Sequence, residues 1–385
     1  MMFLKTIFYI ITAYFTFCAL YVFLYAVAGL FYKNPVLRKA KKNRKFAVLV
    51  PAYKADEVIE ELADNVLLQD YPDFEIIIIA DSMREEVLQR LRTKPLSVME
   101  FSAPNRTKAL ALNTAMEQLP DDRYDIALIL DTDNLIRDGN YLSRLNDAFD
   151  AGWQAVQTHR TAKNTDTTLA LLDAVSEEIN NSLFRRGHTA LGMSSAIIGS
   201  AMAFDYRLYK SLMRTVTSSG EDKELEIKLL RQRVYIAYLD DVIVWDEKTR
   251  RAGAFVNQRA RWLANQILQA KQNAAEGIRQ LFRGNLDFFD KALQLFLLPR
   301  VLLLGASTLL AVAALFFLPL QYSGAWLIIL LLVYSGILIA IPQRFYTIRL
   351  LKSLSYLPVA VALMVLSLCR IKDATKKFIA TEHKK

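Results

Sequence analysis

Asp131 and Asp133 stand two residues apart in an Asp-Thr-Asp triplet within the apolar segment 124–134. Paired carboxylates suit a hard divalent cation such as Mg²⁺ or Mn²⁺, which takes oxygen ligands and keeps phosphate oxygens and water in its shell. The competing interpretation is a turn that the two side chains shape and cap. Because unpaired charge is costly at the end of a buried strand, the sequence supports the metal site as strongly as the turn.

No glycine occurs between Gly29 and Gly139. Dinucleotide sites and P-loops both need glycines that bring backbone amides close to phosphate, so neither is predicted in this stretch. The two cysteines, Cys18 and Cys369, lie in apolar runs, and the three histidines are scattered, which excludes a disulfide framework and a zinc site. A diphosphate bound here would need ligands other than glycine amides. A cation bound by the paired aspartates is the obvious candidate.

A second acidic motif is Gly-Glu-Asp at residues 220–222. The spacing of Ser219 and Asp222 fits a capping box at the start of a helix. The same position would present Asp222 to a ligand as a general base, and the two roles are compatible.

The pentapeptide Gln-Arg-Ala-Arg-Trp at residues 258–262 lies in a segment with helical periodicity. Gln258 and Trp262 are four residues apart and share one face of a helix, with Arg261 beside them. Arginine binds a diphosphate through paired hydrogen bonds, and the flat ring of tryptophan suits the face of a sugar. The alternative is a core-packed tryptophan with solvated arginines.

Alternating strand and helix patterns surround these motifs. Such alternation predicts a parallel sheet with helices on both faces, and ligands of these sheets bind beyond the carboxyl ends of the strands. Asp81 ends one predicted strand and the Asp131–Asp133 pair ends another, so an acidic rim is expected there. The predicted strands cover residues 46–53, 74–82, 96–101 and 124–134, and the predicted helices cover residues 56–69, 84–92 and 107–119.

Apolar runs flank this α/β region. The first, in residues 1–32, predicts a retained transmembrane helix, because no small-residue cleavage site follows it. Residues 300–320 and 324–341 predict a hairpin of two further spans. The fourth run, 353–369, is shorter and contains a proline, so three full spans are favoured, with this run in the interface or re-entering.

Residues 33–45 hold seven lysines or arginines and no acidic residue. Basic residues beside a span favour the cytoplasmic side and attract anionic lipid headgroups, so membrane lipids rather than nucleic acid are the predicted partner. We therefore expect an integral protein of the inner or plasma membrane with a cytoplasmic domain at 46–285. After it come an amphipathic interfacial helix (286–298), a membrane region (299–369) and a basic tail (370–385).

These motifs together resemble the signature of membrane-bound family 2 glycosyltransferases, such as the synthases of cellulose, chitin, hyaluronan and poly-N-acetylglucosamine. Asp81, the Asp131–Asp133 pair and Asp222 match its acidic motifs. Thirty-five residues, 223–257, separate Asp222 from Gln258, as in the family's pattern of three acidic motifs, 35 residues and Q-R-x-R-W. The resemblance covers roughly residues 46–270.

Two positions depart from the family pattern. Gly220 stands where the family usually has threonine, and Thr107 stands where it usually has the glycine before a lysine. The second departure puts in doubt how Lys108 approaches phosphate.

The resemblance implies an α/β GT-A fold, Rossmann-like with a mostly parallel sheet, and an inverting transfer from a nucleotide-sugar, most often UDP-linked, with Mg²⁺ or Mn²⁺ as cofactor. In this reading Asp133 and Asp131 hold the metal, and Asp222, with Glu221, is catalytic. The donor-binding residues would be Pro51, Ala52, Tyr53, Glu57, Asp81, Lys108, Asp131 and Arg261. The acceptor-binding residues would be Gln258, Arg259 and Trp262.

The acceptor stays open at this stage. A growing polysaccharide is slightly favoured, because the complete Q-R-x-R-W pattern is typical of the polymer synthases, and a single transfer to a membrane lipid is the alternative. Three or four helices are few for a polymer channel, so a homo-oligomer or a partner subunit would complete one. A non-catalytic, sugar-binding scaffold subunit is the hypothesis from another class.

Overall fold

The structure is a computed structural model of the 385-residue chain and describes residues 2–103, 106–218 and 220–371. It begins with a long helix, α1 (Met2–Gly29), which leads into an α/β domain. The strands of this domain are β1 (Phe46–Tyr53), β2 (Phe74–Asp81), β3 (Ser97–Phe101), β4 (Ile126–Ile129), β5 (Ala155–Ala162), β6 (Met202–Asp205) and β7 (Ile236–Asp246).

Helices cover both faces of the sheet and continue beyond it. The domain contains α2 (Ile59–Leu67), α3 (Glu85–Arg92), α4 (Lys108–Gln118), α5 (Tyr141–Asp150), α6 (Thr168–Asn181), α7 (His188–Ala190), α8 (Tyr206–Met213), α9 (Glu221–Arg231) and α10 (Ala252–Phe282). The C-terminal region contains α11 (Leu286–Gln294), α12 (Arg300–Phe317), α13 (Leu320–Ala340), α14 (Ile348–Ser353) and α15 (Leu357–Cys369).

The strands form one mixed, mostly parallel sheet in the order β3-β2-β1-β4-β6-β5-β7. Strand β6 runs antiparallel to both of its neighbours, and the other pairs are parallel. The predicted parallel sheet is therefore confirmed. Strand β4 ends before the predicted limit at 134 because the chain turns there: the amide of Asn134 donates to the carbonyl of Asp131, and its side chain accepts from the amide of Asp131.

Strand β1 shows why the sheet is buried on both faces. Phe46, Val48 and Val50 point into one core, under α2, α3 and α5. Ala47 and Leu49 point into the other core, under α4, α8 and α9. A continuous apolar run suits a parallel strand covered on both faces. In β1 and β2 the polar side chains are consequently confined to the strand ends, and the predicted acidic rim lies at one of them.

The helical region contains four helices that are long and apolar enough to cross a membrane: Lys5–Gly29, Arg300–Phe317, Leu320–Ala340 and Ile348–Cys369. The last includes α14, a 3₁₀ turn and α15. It is longer than the predicted run 353–369, because the hydroxyl of Thr347 caps a helix that begins at Ile348. By length and composition alone, the described residues thus hold one more candidate span than the three favoured above.

Helix α11 ends at Gln294, so the predicted interfacial helix 286–298 is shorter than expected. Its apolar stripe does face outward at the ends, because Leu286 and Phe296 are exposed while Phe288 is buried. Of the basic tail, residues 372–385 lie outside the described part of the chain.

Helix α1 meets the α/β domain at two glycines. A Cβ on Gly29 would lie 2.8 Å from the carbonyl oxygen of Ser182, and one on Gly187 would collide with the carbonyl oxygen of Tyr25. Ser182 and Gly187 are the ends of a π-helical turn that follows α6. Only glycine permits two backbones to approach this closely, so this junction fixes α1 against the domain.

Gly187→Ala tests this junction. The added methyl group overpacks it, and we expect a loss of about 1–3 kcal/mol in stability. The readout is a lower melting temperature of the purified protein in detergent. Gly139→Ala is the matched control, because a Cβ there meets no atom within 4 Å. Equal melting temperatures for the two variants would contradict the close approach.

Candidate active site

A cleft of about 1440 Å³ opens beyond the carboxyl ends of β1, β2 and β4. The sequence-predicted residues that line it are Pro51, Ala52, Tyr53, Asp81, Lys108, Asp131, Asp133, Glu221, Asp222, Gln258, Arg259, Arg261 and Trp262. Glu57 is exposed and lies outside this lining, whereas Glu61, about one helical turn further on, is part of it. The fold thus brings residues from six separate segments of the chain to one place.

Lys108 lies at the centre of the cleft, at the first turn of α4. Its ammonium group is 2.5 Å from Asp131 Oδ1 and 3.6 Å from Glu221 Oε1, and it donates to the carbonyl oxygen of Gly199 at 2.7 Å. Burial alone would lower the pKa of Lys108, but Asp131 and then Glu221 raise it above its ordinary value. The same ammonium lowers the pKa of Asp131 against the effect of burial. Lys108 therefore stays charged and joins two of the acidic motifs.

Asp133 lies in a more crowded negative field. It is 9% exposed, and burial first, then Asp246 and Asp131, raise its pKa well above the ordinary value, against the effect of Arg160 and Lys248. Both Asp133 and Asp246 accept a hydrogen bond from Asn134 Nδ2, at 3.3 and 3.1 Å.

Four residues of this cluster are absent from the sequence prediction. Arg160 of β5 donates to Glu177 of α6 at 2.6 Å, and Lys248 is 2.6 Å from Asp246, at the end of β7, and also pairs with Glu177. All four line the cleft. The one signal for them is Asp246, which ends an apolar run as Asp131 does.

The carboxylates at the end of β4 fit a divalent cation that shares its ligands with a substrate. Within the described residues, no group of three or more His, Cys, Asp or Glu side chains is arranged to hold a metal by itself. Mg²⁺ and similar cations bind through one or two carboxylates together with substrate phosphates and water. Asp131 and Asp133 supply that number. Burial is the largest cause of the raised pKa of Asp133, and Asp246 and Asp131 add negative charge that a cation would offset.

Glu221 and Asp222 open α9 beside Lys108. A Cβ on Gly199 would lie 3.7 Å from both Glu221 Oε1 and Asp222 Oδ2, and 3.8 Å from Lys108 Nζ, so three charged groups surround this glycine. Burial raises the pKa of Glu221 to about 7, although Lys108 opposes the shift.

The helix start itself differs from the predicted capping box. The N-cap of α9 is Gly220 and has no side-chain cap, while Ser219 lies outside the described residues. A Cβ on Gly220 would be 2.6 Å from Asn265 Nδ2 of α10. With Asn265 in this position, a residue larger than glycine at 220 requires the asparagine side chain to move.

The Gln-Arg-Ala-Arg-Trp motif lies on α10, as predicted. Gln258 and Arg261 line the cleft, and Trp262 lines it with 37% of its surface exposed. Arg259 forms an ion pair with Asp173 of α6, and its guanidinium lies 4.2 Å from the centre of the Trp262 ring. Arg259 is therefore engaged in holding α10 against α6 and in supporting the tryptophan.

Asp81 closes the other end of the cleft. It is 5% exposed at the end of β2, accepts a hydrogen bond from Ser82, and lies 3.5 Å from Arg106. Next to it, Pro51, Ala52 and Tyr53 form the end of β1. This region combines an apolar wall with one fixed carboxylate, which is a suitable environment for a flat base and a ribose hydroxyl.

Comparison with known proteins matches the region that contains these residues. The family described as "Glycosyltransferase like family 2" matches residues 43–265, more than half of the chain. The chain belongs to glycosyltransferase family 2. It is thus an enzyme of the glycosyl-transferring class, and the non-catalytic scaffold has no support.

This glycosyltransferase is similar to one curated protein in sequence and to one solved structure in fold. The poly-β-1,6-N-acetyl-D-glucosamine synthase of Staphylococcus epidermidis is 24% identical over 220 residues, 56% of this chain and 52% of that protein. The chain therefore spans about half the length of this relative. The mannosyltransferase PcManGT of Pyrobaculum calidifontis, solved with GDP-Man and Mn²⁺, is 19% identical with a TM-score of 0.59, over 96% of this chain and 99% of that one. This likeness shows a shared GT-A fold.

Glu221→Gln tests the buried carboxyl group in this glycosyltransferase. The pKa of Glu221 is about 7 in the folded chain, above its ordinary 4.5, so protonation favours the folded state. This stabilisation is complete below about pH 4.5 and is lost as the pH rises through about 7. Melting temperatures measured from pH 4.5 to 8 should therefore decline less steeply in Glu221→Gln. Glu117→Gln, on the exposed side of α4, should keep the wild-type slope, and an unchanged slope in Glu221→Gln would refute the raised pKa.

Proposed function

We propose that this enzyme transfers a sugar from a nucleotide-sugar, UDP-linked in the first instance, to a growing polysaccharide, with inversion at the anomeric carbon. The observation that carries the proposal is the meeting of the acidic motifs and the Gln-Arg-x-Arg-Trp face in one cleft. Its volume of about 1440 Å³ exceeds the roughly 300–1,000 Å³ of a site for one small molecule. A donor and the end of an acceptor would fit together.

The donor would lie between β1 and the end of β4. Asp81 and the end of β1 would bind the base and ribose, and Arg261 would bind the diphosphate. Asp131 and Asp133 would hold Mg²⁺ or Mn²⁺, which when bound acts as a Lewis acid on the leaving diphosphate. PcManGT, the neighbour with the shared fold, was solved with GDP-Man and Mn²⁺, which supports a nucleotide-sugar and a divalent cation here.

Asp222 would act on the acceptor side. The acceptor hydroxyl oxygen attacks the anomeric carbon while the bond from that carbon to the diphosphate oxygen breaks. The hydroxyl proton passes to the carboxylate of Asp222, and the nucleoside diphosphate leaves. Glu221, buried between Lys108 and Asp222, would position both groups rather than react.

Trp262 and Gln258 would bind the acceptor. The exposed part of the Trp262 ring can stack on a sugar, with Arg259 supporting its position. Within the described residues, Gln258 Oε1 is buried without a hydrogen-bond partner, so it can accept from a sugar hydroxyl. A polysaccharide acceptor also agrees with the named product of the Staphylococcus relative. Single transfer to a membrane lipid is the alternative.

We also place the α/β domain on the cytoplasmic side of the membrane, because of the basic segment 33–45. Nucleotide-sugars would reach the cleft from there. A second copy or a partner subunit would complete a channel for a polymer. A panel of UDP-sugars, with release of UDP and the mass of the product as readouts, tests donor and acceptor together. A ladder of masses supports the polysaccharide, whereas a single added sugar supports the lipid acceptor.

Removal of divalent cations should abolish transfer. We expect no turnover in excess EDTA and recovery on addition of Mn²⁺ or Mg²⁺. Asp133→Asn should weaken Mn²⁺-dependent UDP binding by calorimetry, whereas Asp138→Asn, an exposed carboxylate after the same strand, should leave it unchanged. Full turnover in EDTA would rule out the metal mechanism.

Asp222→Asn should reduce transfer by about 10²–10⁴-fold and leave UDP binding nearly intact. Asparagine keeps the size and accepts hydrogen bonds, but it does not take the proton. The matched control is Glu224→Gln in the same helical turn, where the carboxylate accepts hydrogen bonds from the amides of Thr217 and Ser218. Near-normal turnover in Asp222→Asn would mean that this residue has only a structural role. Loss of UDP binding would mean that it binds the donor.

A further inference from the structure

Helices α12 and α13 form a hairpin that projects away from the α/β domain. Arg300, at the start of α12, donates to the carbonyl and hydroxyl oxygens of Ser176 at 2.9 and 3.0 Å. Arg344, just beyond the end of α13, donates to Glu178 at 2.6 Å. Ser176 and Glu178 both belong to α6, so the two open ends of the hairpin lie at the domain. The hairpin, with α1 packed along α13, thus defines the direction across the membrane.

The fourth apolar helix, residues 348–369, is attached to the domain at both ends. We call it the crossing helix. Near its start, Arg349 donates to the carbonyl oxygen of Asp166 at 2.7 Å, and just beyond its end Arg370 donates to Asn257 Oδ1 at 3.3 Å. At about 1.5 Å per residue, a helix of this length would carry its two ends to opposite sides of a membrane if it spanned one. Asp166 and Asn257 lie in the same domain.

The middle of the crossing helix also stays close to the domain. Val361 packs against Gly305, where a Cβ would come within 3.0 Å of the valine. Met364 clusters with Leu302 of α12 and Leu263 of α10. Leu302 and Gly305 lie in the first two turns of α12, beside its attachment to α6. The crossing helix therefore passes over the start of α12 instead of running alongside it.

The two faces of the crossing helix differ in burial, and both are mostly apolar. Its inner face, which includes Ala360 and Met364, is buried against the protein. Its outer face is exposed and mostly apolar, with Leu351 at 69%, Val359 at 42% and Val365 at 46%, while Lys352 and Ser355 are exposed near its start. Arginines lie next to both ends of the helix, where anionic headgroups would meet them. Acyl chains are the covering that such a face requires.

We propose that the crossing helix lies in the plane of the membrane, in the leaflet next to the α/β domain, with its outer face in the acyl chains. The protein then has three spans, and the tail that begins at 370 returns to the side of the domain. This placement uses geometry alone and stands whether or not the proposed reaction is correct.

A consequence for the reaction rests on the proposed function. Leu263, which packs on Met364 of the crossing helix, directly follows Trp262 in the cleft. The helix also contacts α6 through α14 and α10 through α15, and both α6 and α10 line the cleft. The acceptor end of the cleft would then lie at the membrane surface, where a membrane-associated acceptor meets it directly.

Depth measurements test the placement. Single cysteines at Leu351, Val359 and Val365, in a Cys18→Ala, Cys369→Ser background, carry an environment-sensitive fluorophore in vesicles of phosphatidylcholine and phosphatidylglycerol. Nitroxides at shallow or deep acyl positions quench the fluorophore. We expect one common depth at all three positions. The matched series Leu320, Leu331 and Leu338 on α13 should be deepest at Leu331, because that helix spans.

A crossing helix that is deepest at Val359 and shallow at both ends would overturn the proposal. The tail gives an independent readout: cysteines placed at Lys39 and Lys376 should react with an impermeant maleimide from the same side of sealed vesicles. Reaction from opposite sides would also overturn it. Neither measurement needs turnover. UDP release by the same cysteine-free background protein tests the proposed reaction separately, so a failure of the placement and a failure of the proposed function can be distinguished.

Discussion

The cleft depends on one partly buried ammonium group, that of Lys108. Carboxylates gathered in a low-dielectric site repel one another and lose hydration, and such a site persists only if a cation is placed among them. Lys108 reaches Asp131 after β4, Glu221 at the start of α9 and the carbonyl of Gly199, three points that are far apart in the sequence. Its position at the first turn of α4 thus determines how close the carboxylates of Asp131 and Glu221 come. The lysine joins these two motifs through its ion pairs.

A second ionic cluster balances the other side of the cleft. Arg160 and Lys248 bring two positive charges to Glu177, Asp246 and the neighbouring Asp133. The cluster joins β5, α6 and β7 to the turn after β4. Burial, together with Asp246 and Asp131, still raises the pKa of Asp133. In the proposed mechanism a cation bound with the donor would complete the charge of this site, and donor and metal binding would then depend on each other.

The candidate membrane-spanning helices are joined to the same elements that form the cleft. Arg344, after α13, binds Glu178 of α6, which also accepts from His159 of β5 at 3.1 Å. Burial would lower the pKa of His159, but Asp240 and Glu178 raise it to about 9, so this histidine adds positive charge to the junction. A helix that lines the cleft is therefore joined by ion pairs to the end of a candidate membrane-spanning helix.

The sequence by itself determined the local features. Apolar runs place β1 and β2, and the strand ends place Asp81 and Asp131, because side-chain periodicity and turn chemistry act over a few residues. The resemblance then supplied their roles, and the spacing to Gln258 tied the last motif to them. The motifs and their spacing depend only on the order of residues along the chain, and the sequence contains that order.

Only the tertiary structure decided which distant groups meet. Strand β6 runs antiparallel, Glu57 stays outside the cleft, and Asp246 joins Asp133, because sheet order and long-range ion pairs depend on how sequence-distant segments pack. Arg259 shows the same limit: the motif predicts a ligand contact, while Asp173, from another helix, engages its guanidinium. The apolar helix 348–369 is the clearest case. Its composition permits a span, and only its contacts to the domain at both ends give its direction, because hydrophobicity fixes the environment of a helix and not its orientation.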